Sequence, residues 1–132
     1  MPTLSPILVT GAAGRVGGIG RAVVELLHNR ELPVRALVHR EDERAAALRA
    51  TGAEVVVGDL TVPTDVARAM EGRRRIYFGM SVSAVDLEAT VIAAAVAREV
   101  GDLEAFVNIS QMTVSQMSLT NKPPHLFRLY PH

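Results

Sequence analysis

The chain is expected to fold as an α/β protein, a doubly wound parallel sheet of five strands in the order 3-2-1-4-5 with helices on both faces. Two observations predict it. Five short apolar runs alternate with four helical stretches between residues 7 and 109, and such alternation builds βαβ units and hence a parallel sheet. The first run also stops at a glycine cluster out of which a helical pattern starts at once, which is how doubly wound sheets begin. Crossovers between parallel strands are right-handed almost without exception.

The elements follow in order. Ile7 to Thr10 is strand one, closed by Gly11, and the first helix carries Arg21 to Leu27. Pro33 to Val38 reads as strand two. Glu41 to Ala50 reads as a short helix with Gly52 beyond its end, where a left-handed residue caps helices. Glu54 to Val57 is strand three, followed by Gly58 and Asp59. Pro63 to Glu71 is a helix, since proline suits a first turn. Arg75 to Gly79 is strand four. Ala84 to Val100 is a long helix with Val85, Ala89, Ile92, Val96 and Val100 at helical spacing on one face. Ala105 to Ile109 is strand five. From Gln111 both periods fade, and three prolines break the end. Residues 1–120 are expected to form one domain and residues 121–132 an irregular tail.

The glycine cluster carries the first chemical inference. Gly11, Gly14 and Gly17 stand in G-x-x-G-x-x-G spacing, and Gly14, Gly17 and Gly20 repeat it in an overlapping register. Gly11 directly follows the strand and must make the turn, which favours the first register. The second glycine lets backbone approach a phosphate, and the third lets the helix lie close on the strand. The unpaired N–H groups of the helix start then face an anion. The ligand class is a dinucleotide; the alternative is a glycine-rich turn that binds nothing.

Composition narrows the rest. The 132 residues suffice for one domain with a core. Fourteen basic and fourteen acidic residues give no net charge, and five aromatics offer no stacking platform, which argues against nucleic acid. No apolar run is long enough for a membrane span, and Met1-Pro2-Thr3 opens no signal peptide. The absence of cysteine removes disulfides, thiolate metal sites and cysteine nucleophiles, and fits a cytoplasmic location. His28, His39, His125 and His132 have no metal-ligand spacing, and no G-x-S-x-G nucleophile elbow occurs. The one basic run, Arg73 to Arg75, reads as a solvated turn.

Ligands of such sheets bind beyond the carboxyl ends of the strands, near the reversal of strand order. After strand two stand His39 and Arg40, where NAD readers place an acid on the ribose and NADP readers a cation on the 2′-phosphate. Arg40 is the preferred 2′-phosphate clamp over Arg35, which lies inside the strand. Glu41 leaves room for NAD, and Arg40 could instead pair with Glu41 or Asp42. Asp59 and Leu60 follow strand three and suit an adenine edge and face, with Asp59 alternatively a turn residue or cap. Gly79, Met80 and Ser81 follow strand four and would admit the nicotinamide ribose. Ser110 follows strand five, where a hydroxyl could reach a carbonyl, although serines there are commonly caps.

Val9 to Gly17, Val34 to Arg40 and Gly58 to Leu60 resemble the NmrA-like branch of the atypical short-chain dehydrogenases/reductases. Asn108 to Ser118 resembles a bacterial NAD(P)H-binding, quinone-reductase-like subgroup. The resemblance spans residues 7 to about 121 and implies a Rossmann fold. It implies phosphate contact by Gly11, Gly14, Arg15, Val16 and Gly17, 2′-phosphate contact by Arg40, and adenine contact by Asp59 and Leu60. NADP is the expected cofactor, with NAD open. Family members run longer, so the sequence reads as the cofactor half of a reductase of quinones or related carbonyl compounds, truncated or diverged at its end. It is expected to bind cofactor and turn over little by itself unless a homo-oligomer or protein partner completes the site. Lys122 is the only lysine and no tyrosine lies four before it, so the Tyr-x-x-x-Lys pair of typical short-chain reductases cannot operate and the catalytic residues are unknown. A dinucleotide-sensing regulator and a gene fragment are the other readings.

Overall fold

The computed structural model describes residues 5–12, 18–79 and 86–109; the tail expected at 121–132 lies outside them. Within them run β1 (Ile7–Thr10), α1 (Ile19–Asn29), β2 (Val34–Val38), α2 (Glu43–Ala50), β3 (Glu54–Val57), α3 (Pro63–Met70), β4 (Arg75–Phe78), α4 (Asp86–Val100) and β5 (Ala105–Asn108). The strands form one parallel sheet in the order β3-β2-β1-β4-β5, as expected. Order reverses between β1 and β4, so the two strands that meet there come from opposite halves of the winding.

Side-chain alternation divides the core into two layers. Ile7, Val9, Val34, Ala36 and Val38 point to one face and meet Val24 of α1 and Ala45 and Leu48 of α2. Leu8, Leu37, Ile76 and Phe78 point to the other and meet Val66, Ala69 and Met70 of α3 and Ala89, Ala93, Val96 and Ala97 of α4. Strands covered on both faces read as continuous apolar runs, which is why the sequence displays them so clearly. Phe78 stacks on Phe106 at 6.1 Å between ring centres and ties β5 to the second layer.

Several element ends differ from expectation by one or two residues. α2 begins at Glu43 rather than Glu41, because Asp42 turns its carboxylate onto the Arg44 and Ala45 amides at 3.0 and 3.2 Å and caps the helix. Pro33 stays outside β2, α3 ends before Glu71, β4 before Gly79 and β5 before Ile109. Ala84 and Val85, expected in the last helix, lie outside the described residues. The buried stripe of α4 also shifts. Ala89, Ala93, Val96 and Ala97 are buried, Ile92 is partly buried, and Val100 is exposed in the final turn. Alanines let α4 settle close against α3 and the sheet, and that close approach decides which face turns inward.

One close approach governs α1. A Cβ placed on Gly20 would sit 2.6 Å from the Gly11 carbonyl oxygen and 2.9 Å from the Ala12 Cα. Both are backbone atoms and neither can rotate aside. The helix therefore rests on the end of β1 through the bare Cα of Gly20. Gly11 leaves the strand at φ 74°, a conformation that costs glycine little.

The opposite edge of the sheet is held by charge. Arg35 grips both Glu54 carboxylate oxygens at 3.0 and 3.1 Å and donates to the Ala69 and Glu71 carbonyls at the end of α3. Arg73 approaches the same carboxylate at 3.7 Å, while Arg74 and Arg75 face Asp102 and Glu104. The expected solvated turn is thus a brace of paired arginines, since carboxylates from β3 and the β5 approach converge on it. The Arg35 hydrogen bonds hold the Glu54 carboxyl below its ordinary range.

Gly20→Ala should destabilise the fold by about 1–3 kcal/mol, the usual range for forcing an extra carbon into a packed contact, measured by urea unfolding followed by circular dichroism. Glu54→Gln should lower stability at pH 7 by about 1 kcal/mol or less, because half the Glu54 side chain meets solvent. A carboxyl with a depressed folded-state pKa stabilises above its unfolded value and loses that contribution as pH falls. The gap between wild type and Glu54→Gln should therefore close as pH drops through and below about 4.5, read from thermal melts across pH 3–7.

Candidate functional site

The carboxyl ends of the strands bring the expected site together in one row. Gly11 follows β1, His39 and Arg40 follow β2, Asp59 and Leu60 follow β3, and Gly79 follows β4. Gly14, Arg15, Val16, Gly17, Met80, Ser81 and Ser110 lie outside the described residues. The register sets Thr10 beside Leu37, and Val38 beside Val57. The loops after β1, β2 and β3 therefore leave the sheet at nearly one level.

At the reversal of strand order a buried hydroxyl joins the two halves. Thr10 Oγ1 donates to the Gly79 carbonyl at 2.6 Å and accepts from the Gly79 N–H at 2.9 Å. Thr10 is only 2% exposed. One side chain thus satisfies both backbone polar groups of Gly79, the first residue beyond β4. The site reading from sequence missed this residue. The available signal was a lone hydroxyl closing an apolar strand.

The loop after β2 has two carboxylates and both are engaged. Glu41 holds Arg49 through two hydrogen bonds, one of them at 2.9 Å between Nη2 and Oε2. Asp42 caps α2 and pairs with Arg44 at 3.1 Å. Arg40 is exposed and makes no hydrogen bond or ion pair among the described residues. The alternative pairing of Arg40 with Glu41 or Asp42 does not form, because other arginines reach those acids first.

Asp59 has a local occupation of its own. Its Oδ1 accepts from the Thr61 amide at 2.8 Å and the Thr61 hydroxyl at 2.6 Å, and its own amide donates to Asp65. These Thr61 bonds, with help from the charge of nearby His39, hold the Asp59 carboxyl below its ordinary value. The residue is thus an Asx-turn former, with Oδ2 outside those bonds. Leu60 is partly buried against the layer formed with α3 and α4. Arg35, engaged at the far edge of the sheet, is not near this row. Among the described residues no group of three His, Asp or Glu side chains could hold a metal ion, and no helix is long and apolar enough to cross a membrane.

α1 enters this row without a side-chain cap. Its N-cap is Gly18, at φ 59°, and its first turn contains no acidic residue. The turn between a buried strand and an uncapped helix is matched by the model of a family described as NAD(P)H-binding, over residues 11–130. The chain belongs to that NAD(P)H-binding family. It is 37% identical over 71 residues to an NAD(P)H azoreductase of Xenophilus azovorans, a match covering 54% of this chain and 23% of that protein. Its fold is similar to that of a Bacillus halodurans protein of the NAD-dependent epimerase/dehydratase kind, with TM-score 0.73 and 23% identity over 95% of this chain and 59% of that one. It is also similar to leucoanthocyanidin reductase of Vitis vinifera in its binary complex with NADPH, with TM-score 0.62 and 18% identity over 76% and 34% of the two chains. The chain spans less than two thirds of each of these proteins.

Thr10→Val keeps the shape of the side chain and strips both bonds from Gly79. Leaving those groups unpaired should cost about 1–3 kcal/mol of stability, while Thr10→Ser should recover most of it. Chemical denaturation of the two variants beside wild type checks this.

Proposed function

We propose that the chain is the cofactor-holding part of an NADPH-dependent reductase acting on quinones or related carbonyl compounds, working in the cytoplasm. Membership in the NAD(P)H-binding family supports the cofactor, and the azoreductase relative supports reductase chemistry. The observation that carries the choice of NADP is the charge arrangement after β2. Glu41, the acid that would accept the ribose hydroxyls of NAD, is held by Arg49, while Arg40 has no carboxylate partner among the described residues. A 2′-phosphate supplies that partner.

In this reading the pyrophosphate lies over the glycine turn between Gly11 and α1, and the uncapped helix start donates N–H groups to it. The adenine meets Asp59 Oδ2 and the outer edge of Leu60, and the nicotinamide ribose passes Gly79, Met80 and Ser81. The nicotinamide supplies the hydride when bound, and the protein supplies orientation and exclusion of water. A second reading is a dinucleotide-sensing regulator that passes the signal to a partner chain.

Arg40→Ala should cost about ten- to a hundredfold in NADPH affinity, the worth of a charge-assisted arginine–phosphate contact, and leave NADH affinity nearly unchanged. Titration of NADPH and NADH into wild type and variant measures this. Equal binding of the two cofactors by wild type would overturn the assignment. Turnover of quinones with NADPH distinguishes the reductase from the regulator.

A further inference from the structure

The outer face of α4 is open to solvent and is not polar. Ala89, Ala93, Val96 and Ala97 turn toward the core. With 3.6 residues per turn, the opposite face carries Leu87, Glu88, Val91, Ala94, Ala95 and Arg98, all of them exposed. Leu87 is 55% exposed and Val91, one turn further on, 59%. A helix of a globular domain ordinarily gives such a face to charged and polar side chains. The two charges that do stand here, Glu88 and Arg98, form no ion pair among the described residues, whereas Arg21 pairs with Glu25 on α1 and Arg68 with Asp65 on α3. Ten positions of helix, about 15 Å of rise, keep Glu88 from reaching Arg98 on its own chain.

We propose that this face docks a second copy of the chain, with two α4 helices packed antiparallel across a two-fold axis. The charge pattern selects this occupant. A two-fold makes every contact reciprocal: what one copy offers, it must also receive. With the axis at the level of position 93, Glu88 of each copy stands level with Arg98 of the other, so one juxtaposition supplies two ion pairs. The same axis sets Val91 level with Ala95, and lays Leu87 along the aliphatic stem of Arg98. Ala94 and Ala95 are small enough for the two helices to come close. The centre of the contact is then apolar and its charges lie at the rim, the layout of specific interfaces. A parallel pair would instead set Glu88 against Glu88 and Arg98 against Arg98, and like charges opposed in this way disfavour association.

Sedimentation velocity of the full chain across the micromolar range tests it and should show a dimer in equilibrium with monomer. Val91→Glu places two carboxylates at the apolar centre and should raise the dimer Kd about a hundredfold or more. Glu88→Arg and Arg98→Glu, each alone, set like charges level with one another and should raise it about tenfold, while both swaps in one chain should return it to within about threefold of wild type. All three positions are exposed, and circular dichroism establishes that each variant is folded; the charge swaps decide the matter should Val91→Glu unfold. A monomer at every concentration overturns the proposal. A dimer that none of these substitutions weakens lies on another surface and overturns it too, as does a double swap no tighter than the single ones.

Discussion

Everything at the binding edge hangs on how closely α1 can lie against the end of β1. The start of α1, which has no side-chain cap, has to come close to the end of β1. Any side chain on Gly20 would wedge helix and strand apart at the Gly11 carbonyl. The gap would lift the N-terminus of α1 and would also disturb Val24, one turn further on, which belongs to the same buried layer as Val9 and Ala36. A missing carbon thus couples the packing of one core layer to the position of the uncapped helix start. Van der Waals repulsion rises so steeply that this constraint dominates the modest helix-propensity cost of glycine, about 1 kcal/mol.

Thr10 does the complementary work across the strand reversal. β1 belongs to both halves of the winding, and β4 starts the second half. The hydroxyl of Thr10 closes both polar groups of the Gly79 peptide where the two strands end. Without it those groups would lose their hydrogen-bond partner. Gly20 and Thr10 sit on successive sides of the same strand end, one setting the helix and the other setting the loop. Both contacts are made to backbone atoms, the Gly11 carbonyl and the Gly79 peptide groups.

How much of this was legible in the sequence follows from which forces write themselves locally. Strand order and the two-layer core could be read, because doubly covered strands such as Ile7–Thr10 and Val34–Val38 must be apolar at nearly every position. The place of Arg40 beyond the carboxyl end of β2 could be read too, since it needs only the end of a strand. The close rest of Gly20 on the Gly11 carbonyl could not, because two copies of the glycine spacing overlap in the sequence and neither marks the contact. The partners of Glu41 were equally hidden. Arg49 lies eight positions away, two turns along α2, and it reaches Glu41 only because Asp42 starts the helix where it does. The stripe on α4 was misread at Val100 for a related reason: a hydrophobicity pattern weights valine above alanine, while close packing favours the smaller side chain.

The arginines of the two edges of the sheet differ in which carboxylates they reach. At the edge away from the cleft, Arg35, Arg73, Arg74 and Arg75 all face carboxylates. On α2, Arg44 and Arg49 absorb the acids that flank the ribose loop. Neutralising Asp42 and Glu41 in this way matters more than their own energies suggest, because exposed pairs contribute about 1 kcal/mol or less to stability. Left free, two carboxylates next to Arg40 would cancel its field and repel a phosphate dianion. With both acids engaged, Arg40 keeps its full charge at an exposed position where a dianion can approach. The overall charge of the chain is zero, so the attraction of Arg40 for an anion is short in range, instead of a general pull on polyanions. In the proposed reading, discrimination between the two dinucleotides would rest on who holds Glu41: an arginine on α2 when a phosphate is read, or the ribose hydroxyls if that arginine lets go.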